Sequence, residues 1–116
     1  MPRPELPQRD RAERAARNQA LFREVNERIN DVHAGFAPAA TFQIVCECAD
    51  PGCTEQIELT TATYEAVRSH ADRFIVEPEH VWPEVERDVE RGDGYVVVEK
   101  LRRAAQVARA TDPRSR

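Results

Sequence analysis

The chain's three cysteines all fall within eight residues, Cys46-Glu47-Cys48-Ala49-Asp50-Pro51-Gly52-Cys53. An odd number of thiols cannot pair off completely, and three crowded round one tight turn are poor material for a disulfide framework. The grouping points instead to metal ligation or thiol chemistry. Asp50-Pro51-Gly52 predicts a type II turn, with proline at the second position and glycine taking the positive φ at the third. Before it, Thr41 to Cys48 alternates, so that Phe42, Ile44, Cys46 and Cys48 share one side of a predicted strand. After it, Glu55 to Thr60 resumes the alternation through Ile57 and Leu59. The expectation is a hairpin with the cysteines at its tip, Cys46 and Cys48 on one face and Cys53 folded back toward them.

Ligation by thiolates needs several soft donors converging on a point about 2.3 Å away, which tight backbone geometry at a hairpin tip supplies. Turn amides are expected to donate to the sulfur atoms and steady the site. Three thiolates leave a fourth position. His80 is the first candidate, because it follows a short strand and sits in a loop bounded by Pro78 and Pro83 that can be fixed against the tip. His70 in a predicted helix, His33 near the end of another, or no histidine at all are the alternatives. The expected site is therefore a structural zinc held by Cys46, Cys48, Cys53 and His80. Two other readings stand beside it: the cysteines as ordinary small apolar residues on a strand face, and a thiol-based redox sensor that releases metal on oxidation.

Catalytic signatures are missing. The zinc deaminase pattern needs His-x-Glu and Pro-Cys-x-x-Cys, whereas here Cys53 follows Gly52 and no cysteine comes three residues later. There is no Walker loop, no Gly-x-Gly-x-x-Gly and no His-Glu-x-x-His. A cysteine nucleophile with His80 as base has no local signature, and Glu47, Asp50, Glu77 and Glu79 read as solvated acids. No catalytic residue is assigned, and the chain is not expected to be an enzyme.

A chain of 116 residues builds one modest core. Mean hydropathy is -0.67 with 33% charged residues, which describes a globule with polar ends. Residues 1–8 are expected to be disordered, residues 9–110 to form a single α+β domain, and residues 111–116 to form a disordered tail. Met1 is followed by a Pro- and Arg-rich segment with no apolar run. No signal peptide, no membrane span and a cytoplasmic location are therefore expected. Lys100 is the only lysine among seventeen basic residues, a usage that points to a GC-rich bacterial genome. Local charge balances are +1 over residues 1–36, -10 over 37–99 and +5 over 100–116. An acidic middle repels phosphate, so nucleic acid is an unlikely partner except through the basic C-terminal tail.

Asp10 to about His33 lacks Pro and Gly, and Phe22, Val25, Ile29 and Val32 recur at helical spacing, which predicts a long helix buried along that stripe. Gly35 and Pro38 predict its end near His33 or Ala34. Its first half offers only Ala12, Ala15, Ala16 and Ala20. That half is expected to overhang the body, either solvated or as a surface for an unknown protein partner or for self-association. A second, short helix is predicted from Thr60 or Thr61 to about Asp72 with Tyr64, Val67 and Ala71 inward, followed by a strand at Arg73 to Val76. Val85 to Arg91 fits a helical turn or a strand, and the strand is favoured. Gly92-Asp93-Gly94 is a turn, Tyr95 to Val98 a central buried strand, and Lys100 to Ala110 a weak last helix. The fold class is α+β: a long N-terminal helix on a small, mainly antiparallel sheet, with the second helix between the hairpin and the later strands. A regulatory or protein-interaction role follows as the leading expectation.

The segment Arg17 to Ile29, together with Cys46-Glu47-Cys48-Ala49-Asp50-Pro51-Gly52-Cys53, resembles a family of short, uncharacterised bacterial proteins, actinobacterial in type, with a long N-terminal helix followed by a C-x-C-x4-C cluster. The likeness spans about Arg17 to Lys100. Members carry a Gly-His pair where this chain has Glu79-His80, which implies His80 as a ligand while departing at Glu79. The resemblance implies no activity.

Overall fold

The computed structural model of the protein describes residues 8–50 and 52–115, with side chains described from Arg14 onward. The expected disordered segment 1–8 lies, but for Gln8, outside these residues. Helix α1 spans Gln8–Phe36. Strands β1 (Thr41–Val45) and β2 (Gln56–Thr60) form an antiparallel hairpin with Thr41 opposite Thr60 and Val45 opposite Gln56. Helix α2 (Thr61–Arg68) follows at once, its N-terminus capped by the Thr60 hydroxyl accepting from the Thr63 amide. Strands β3 (Arg73–Val76), β4 (Glu86–Gly92) and β5 (Tyr95–Lys100) form a second antiparallel sheet in the order β3-β5-β4. Helix α3 (Arg102–Ala110) and a 3-10 turn at Pro113–Ser115 close the chain. This is the expected α+β arrangement, with the sheet divided in two. No helix among the described residues is long and apolar enough to cross a membrane.

The core lies where the two sheets meet. Val96, Val97 and Val98 of β5 are all buried, as are Phe74, Ile75 and Val76 of β3 beside them, in keeping with an unbroken apolar run at the centre of a sheet. Val85 to Arg91, which fits two periods, is strand from Glu86 onward, and a bulge between Asp88 and Glu90 sets Val89 out of register. The β4–β5 turn places Gly94 at φ 82°, a conformation that selects glycine.

The first helix differs from expectation at both ends and on its buried face. It runs through Gly35 to Phe36 rather than stopping near His33, its last turn closed by the Ala37 amide on the His33 carbonyl at 2.7 Å. Pro38, which has no amide to give and restricts the residue before it, is the effective stop. The face is inverted. Val25 and Val32 of the predicted apolar stripe are 42% and 63% exposed, and only Phe22 and Ile29 are half-buried. Gln19, Arg23, Asn26, Glu27 and Asn30 are buried instead.

The inversion has a physical basis, because these polar side chains find partners that water would otherwise supply. The Asn26 amide is bidentate on Val45, its Nδ2 donating to the carbonyl and its Oδ1 accepting from the amide, both at 2.8 Å. Arg23 donates to the Ala71 and Ala108 carbonyls at 2.5 and 2.7 Å and lies 4.4 Å from the Phe74 ring. Nor does the alanine half overhang from Ala15 onward. Ala16 is 1% exposed, against Val85 and Ala104, and Ala15 and Ala20 are buried as well. Alanines lack the bulk for a deep core, but they let α1 and α3 approach closely.

The C-terminal residues are likewise not a disordered tail as far as Ser115. Asp112 is buried against Arg68, and Arg114 bridges Glu27 at 2.8 Å and Glu65 at 2.6 Å. These charges form one network round the buried Arg68 guanidinium.

The inverted face makes a measurable contrast. Asn26→Ala, which leaves both polar groups of Val45 and one oxygen of Glu47 unpaired, is expected to cost roughly 2–4 kcal/mol in urea unfolding. Val32→Ser at low protein concentration should stay within about 0.5 kcal/mol of the parent. The opposite ranking would restore the apolar stripe as the buried one.

Candidate metal centre

Strand β1 ends at Val45, three residues short of the predicted Cys48, and the reason lies in the next two amides. The Cys46 amide still bonds within the hairpin, to the Glu55 carbonyl at 2.9 Å, but the Glu47 amide turns to the Ile75 carbonyl of β3 at 2.9 Å. The cysteine-bearing segment thus leaves the first sheet and docks on the second.

Glu47, expected as a solvated acid, is wholly buried by that crossing. Its Oε1 accepts from the Ile75 amide and its Oε2 from Asn26 Nδ2, each at 2.9 Å, while its carbonyl accepts from Gln19 Nε2 at 3.0 Å. Burial pushes its carboxyl above the usual carboxylate range, against the pull of the Asn26 and Ile75 donors. Asp50 and Glu79 are exposed, and Glu77 is half-buried.

At the hairpin tip, Asp50 Oδ1 accepts from the Gly52 amide at 2.9 Å and the Asp50 carbonyl accepts from the Cys53 amide at 3.1 Å. These bonds return Cys53 toward Cys46 and Cys48. The predicted type II geometry rests on Pro51, which lies outside the described residues. Past β3 the chain turns through a 3-10 turn at Pro78–His80. The His80 ring places Nδ1 3.5 Å from Cys46 Sγ and 3.6 Å from Cys53 Sγ.

The ligating atoms of Cys46, Cys48, Cys53 and His80 all lie within 4.8 Å of one another, and this group could hold a metal ion. Cys46 and Cys48 are buried, and Cys53 and His80 are half-buried. The other two histidines lie elsewhere. His33 stacks on Phe42 with ring centroids 4.4 Å apart and its Nε2 is 2.9 Å from the Ala40 carbonyl, while His70 is exposed beyond α2.

An amide does reach a thiol sulfur, though not from the turn: Glu77 N donates to Cys46 Sγ at 3.2 Å. The sequence carried no sign of it, because a backbone donor has no residue signature. Burial pushes the Cys46 thiol far above the ordinary thiol range, and the adjoining Cys48 and Cys53 add to the rise against the Glu77 amide; burial raises Cys48 as well. Burial therefore keeps Cys46 and Cys48 as neutral thiols in the absence of an ion, and a divalent metal bound there would reverse the shift.

No protein-family model, curated protein sequence or solved structure matches this chain.

Glu47 offers a test of this geometry that leaves every ligand in place. Both carboxyl oxygens accept N–H bonds, so in Glu47→Gln the new amide nitrogen faces a donor. Rotating Asn26 to relieve that clash would break its pairing with Val45. The substitution is expected to cost roughly 2–4 kcal/mol despite its shape and to reduce bound metal, whereas Glu79→Gln should change neither. An unchanged melting temperature and metal content in Glu47→Gln would sink the assignment of Glu47 as the support of the site.

Proposed function

We propose that the protein is a small zinc-stabilised module of the cytoplasm whose role is regulatory or interactive rather than catalytic. The observation that carries this reading is the spacing of the donors. A tetrahedral zinc with bonds of about 2.3 Å to sulfur and about 2.05 Å to nitrogen has S–N edges of roughly 3.6 Å. The His80 Nδ1 contacts to Cys46 and Cys53 are 3.5 and 3.6 Å, and Cys48 Sγ lies within 4.8 Å of the same atoms. Three sulfurs and one imidazole suit zinc by softness and geometry. Four protein donors leave no open position for water or substrate, the condition of a structural rather than a catalytic zinc. A site of this kind supplies folding free energy to a small core.

One observation supports a second reading. Cys53 is only half-buried while Cys46 and Cys48 are covered, so a peroxide would meet its thiolate first. Attack of the Cys53 thiolate on the peroxide O–O bond would give the sulfenic acid and hydroxide, and a neighbouring thiolate would then displace a second hydroxide from that sulfur, forming a disulfide and ejecting the zinc. The basic C-terminal segment is a weaker basis for nucleic-acid binding. Lys100 is buried 2.6 Å from Glu86, and Arg114 is held by Glu27 and Glu65.

Elemental analysis of the purified protein should find about one zinc per chain. Cys46→Ser, Cys48→Ser, Cys53→Ser and His80→Ala should each lower zinc content and melting temperature. Cobalt substitution should give the intense thiolate and tetrahedral bands of a site with three sulfur donors and one nitrogen. A folded, metal-free protein with three titratable thiols would overturn the proposal. Loss of zinc to mild peroxide, restored by reductant and fresh metal, would establish the redox reading in addition.

A further inference from the structure

We infer that the outward face of α1 is the interface of an antiparallel two-fold dimer of this chain, an inference that does not rest on the zinc site. The helix leaves an apolar stripe in solvent: Leu21 is 59% exposed, Val25 42%, Val32 63% and Phe36 88%. Their spacings of four, seven and four place them on one side of the helix, opposite the buried polar face. Beside the stripe an apolar groove of about 540 Å³ runs between α1 and β1, lined by Arg28, Ile29, Val32, His33 and Phe42. Contiguous exposed apolar surface of this kind marks an interaction site.

The pattern itself selects the occupant. About a point between Arg28 and Ile29, Leu21 mirrors Phe36 and Val25 mirrors Val32, so the stripe reads alike in both directions. A two-fold interface requires just such a self-complementary patch.

The charges agree. Arg28 and Asp31 are exposed, and neither forms an ion pair within the chain among the described residues. With a rise of about 1.5 Å per residue, antiparallel pairing on this axis sets Arg28 about 3 Å along the helix from Asp31 of the second copy, and symmetry repeats the pair. The half-buried Phe22 of the second copy comes within one helical turn of Val32 and His33, on the groove's side of the stripe. A helix laid in an apolar groove is an established mode of recognition, here supplied by the chain itself.

Sedimentation equilibrium on the metal-loaded full chain, from low micromolar to several hundred micromolar, should show a reversible monomer–dimer equilibrium. Val25→Glu should leave a monomer, with Leu21→Lys as a second disruptor. Arg28→Asp, which sets like charges opposite one another, should weaken the dimer about tenfold, and adding Asp31→Arg should restore it. Because these side chains are exposed, zinc content and monomer helicity should not change, which separates failure of this proposal from failure of the metal reading. A monomer at every concentration would overturn the inference, as when the groove serves a protein of different sequence. So would a dimer indifferent to Val25→Glu, or a double variant no tighter than Arg28→Asp.

Discussion

The carboxyl group of Glu47 is the point on which the molecule depends. It sits between two cysteines, inside the protein, with an amide of β3 on one oxygen and Asn26 of α1 on the other. A buried carboxyl left unpaired would cost several kcal/mol or force the segment out to solvent. Fully engaged, it does the reverse: it ties the first sheet, the second sheet and the long helix at a single residue. Cys46 and Cys48 flank that tie, while Glu77 and His80 come from the chain that leaves β3. Donors from two separate sheets are therefore brought together by hydrogen bonds that do not involve a metal. Such support from behind the ligands is what holds their geometry narrow.

The same logic runs along α1. Its buried face is a row of amides, guanidinium and carboxylate rather than of leucines, and each side chain has at least one specific backbone or ionic partner, though Gln19 Oε1, Arg23 Nε and Asn30 Oδ1 are left without one among the described residues. Arg68 shows the balance. Burial works against its charge, yet its hydrogen bonds to Glu27 at 2.5 Å and to Asp112 hold its pKa above the ordinary value. Lys100 goes the other way, because burial lowers it more than Glu86 restores it. Buried pairs of this kind contribute little net stability compared with apolar replacements. What they supply is position: an apolar face tolerates sliding and rotation, whereas Asn26 on Val45 and Arg23 on two carbonyls fit in one register only.

Much of the architecture was legible because it rests on periodicity. The alternation through Phe42 and Ile44, the apolar run Val96 to Val98, and the Thr60 cap each have a local cause, and each element begins where that cause puts it, though β1 stops at Val45 and α2 at Arg68, short of the predicted Cys48 and Asp72. The cysteine cluster was legible because ligand chemistry is carried by residue type and turn geometry. The orientation of α1 was not, since an apolar stripe and a polar stripe on one helix are both visible in sequence. Which of them is buried depends on partners distant in the chain. Gln19 and Asn26 reach Glu47 across 28 and 21 positions, and Arg114 reaches Glu27 across 87. Glu47 itself looked solvated because alternation places it opposite the cysteines, and nothing local reveals that a second sheet lies on that side.

These long-range bonds also decide what the protein shows to its surroundings. On an α-helix successive side chains are fixed about 100° apart, so anchoring Gln19, Arg23 and Asn26 inward leaves no freedom in where Leu21, Val25 and Val32 point. The anchor for two of those three is Glu47, between Cys46 and Cys48. The cysteine–histidine cluster and the exposed apolar stripe are thus opposite ends of one arrangement: cluster, buried carboxyl, polar inner face, apolar outer face. Arg23 on the Ala71 and Ala108 carbonyls and Glu27 on Arg68 hold the same face inward from the far side. In a chain with so few deep apolar anchors on its longest helix, these polar contacts fix which face of α1 points to solvent.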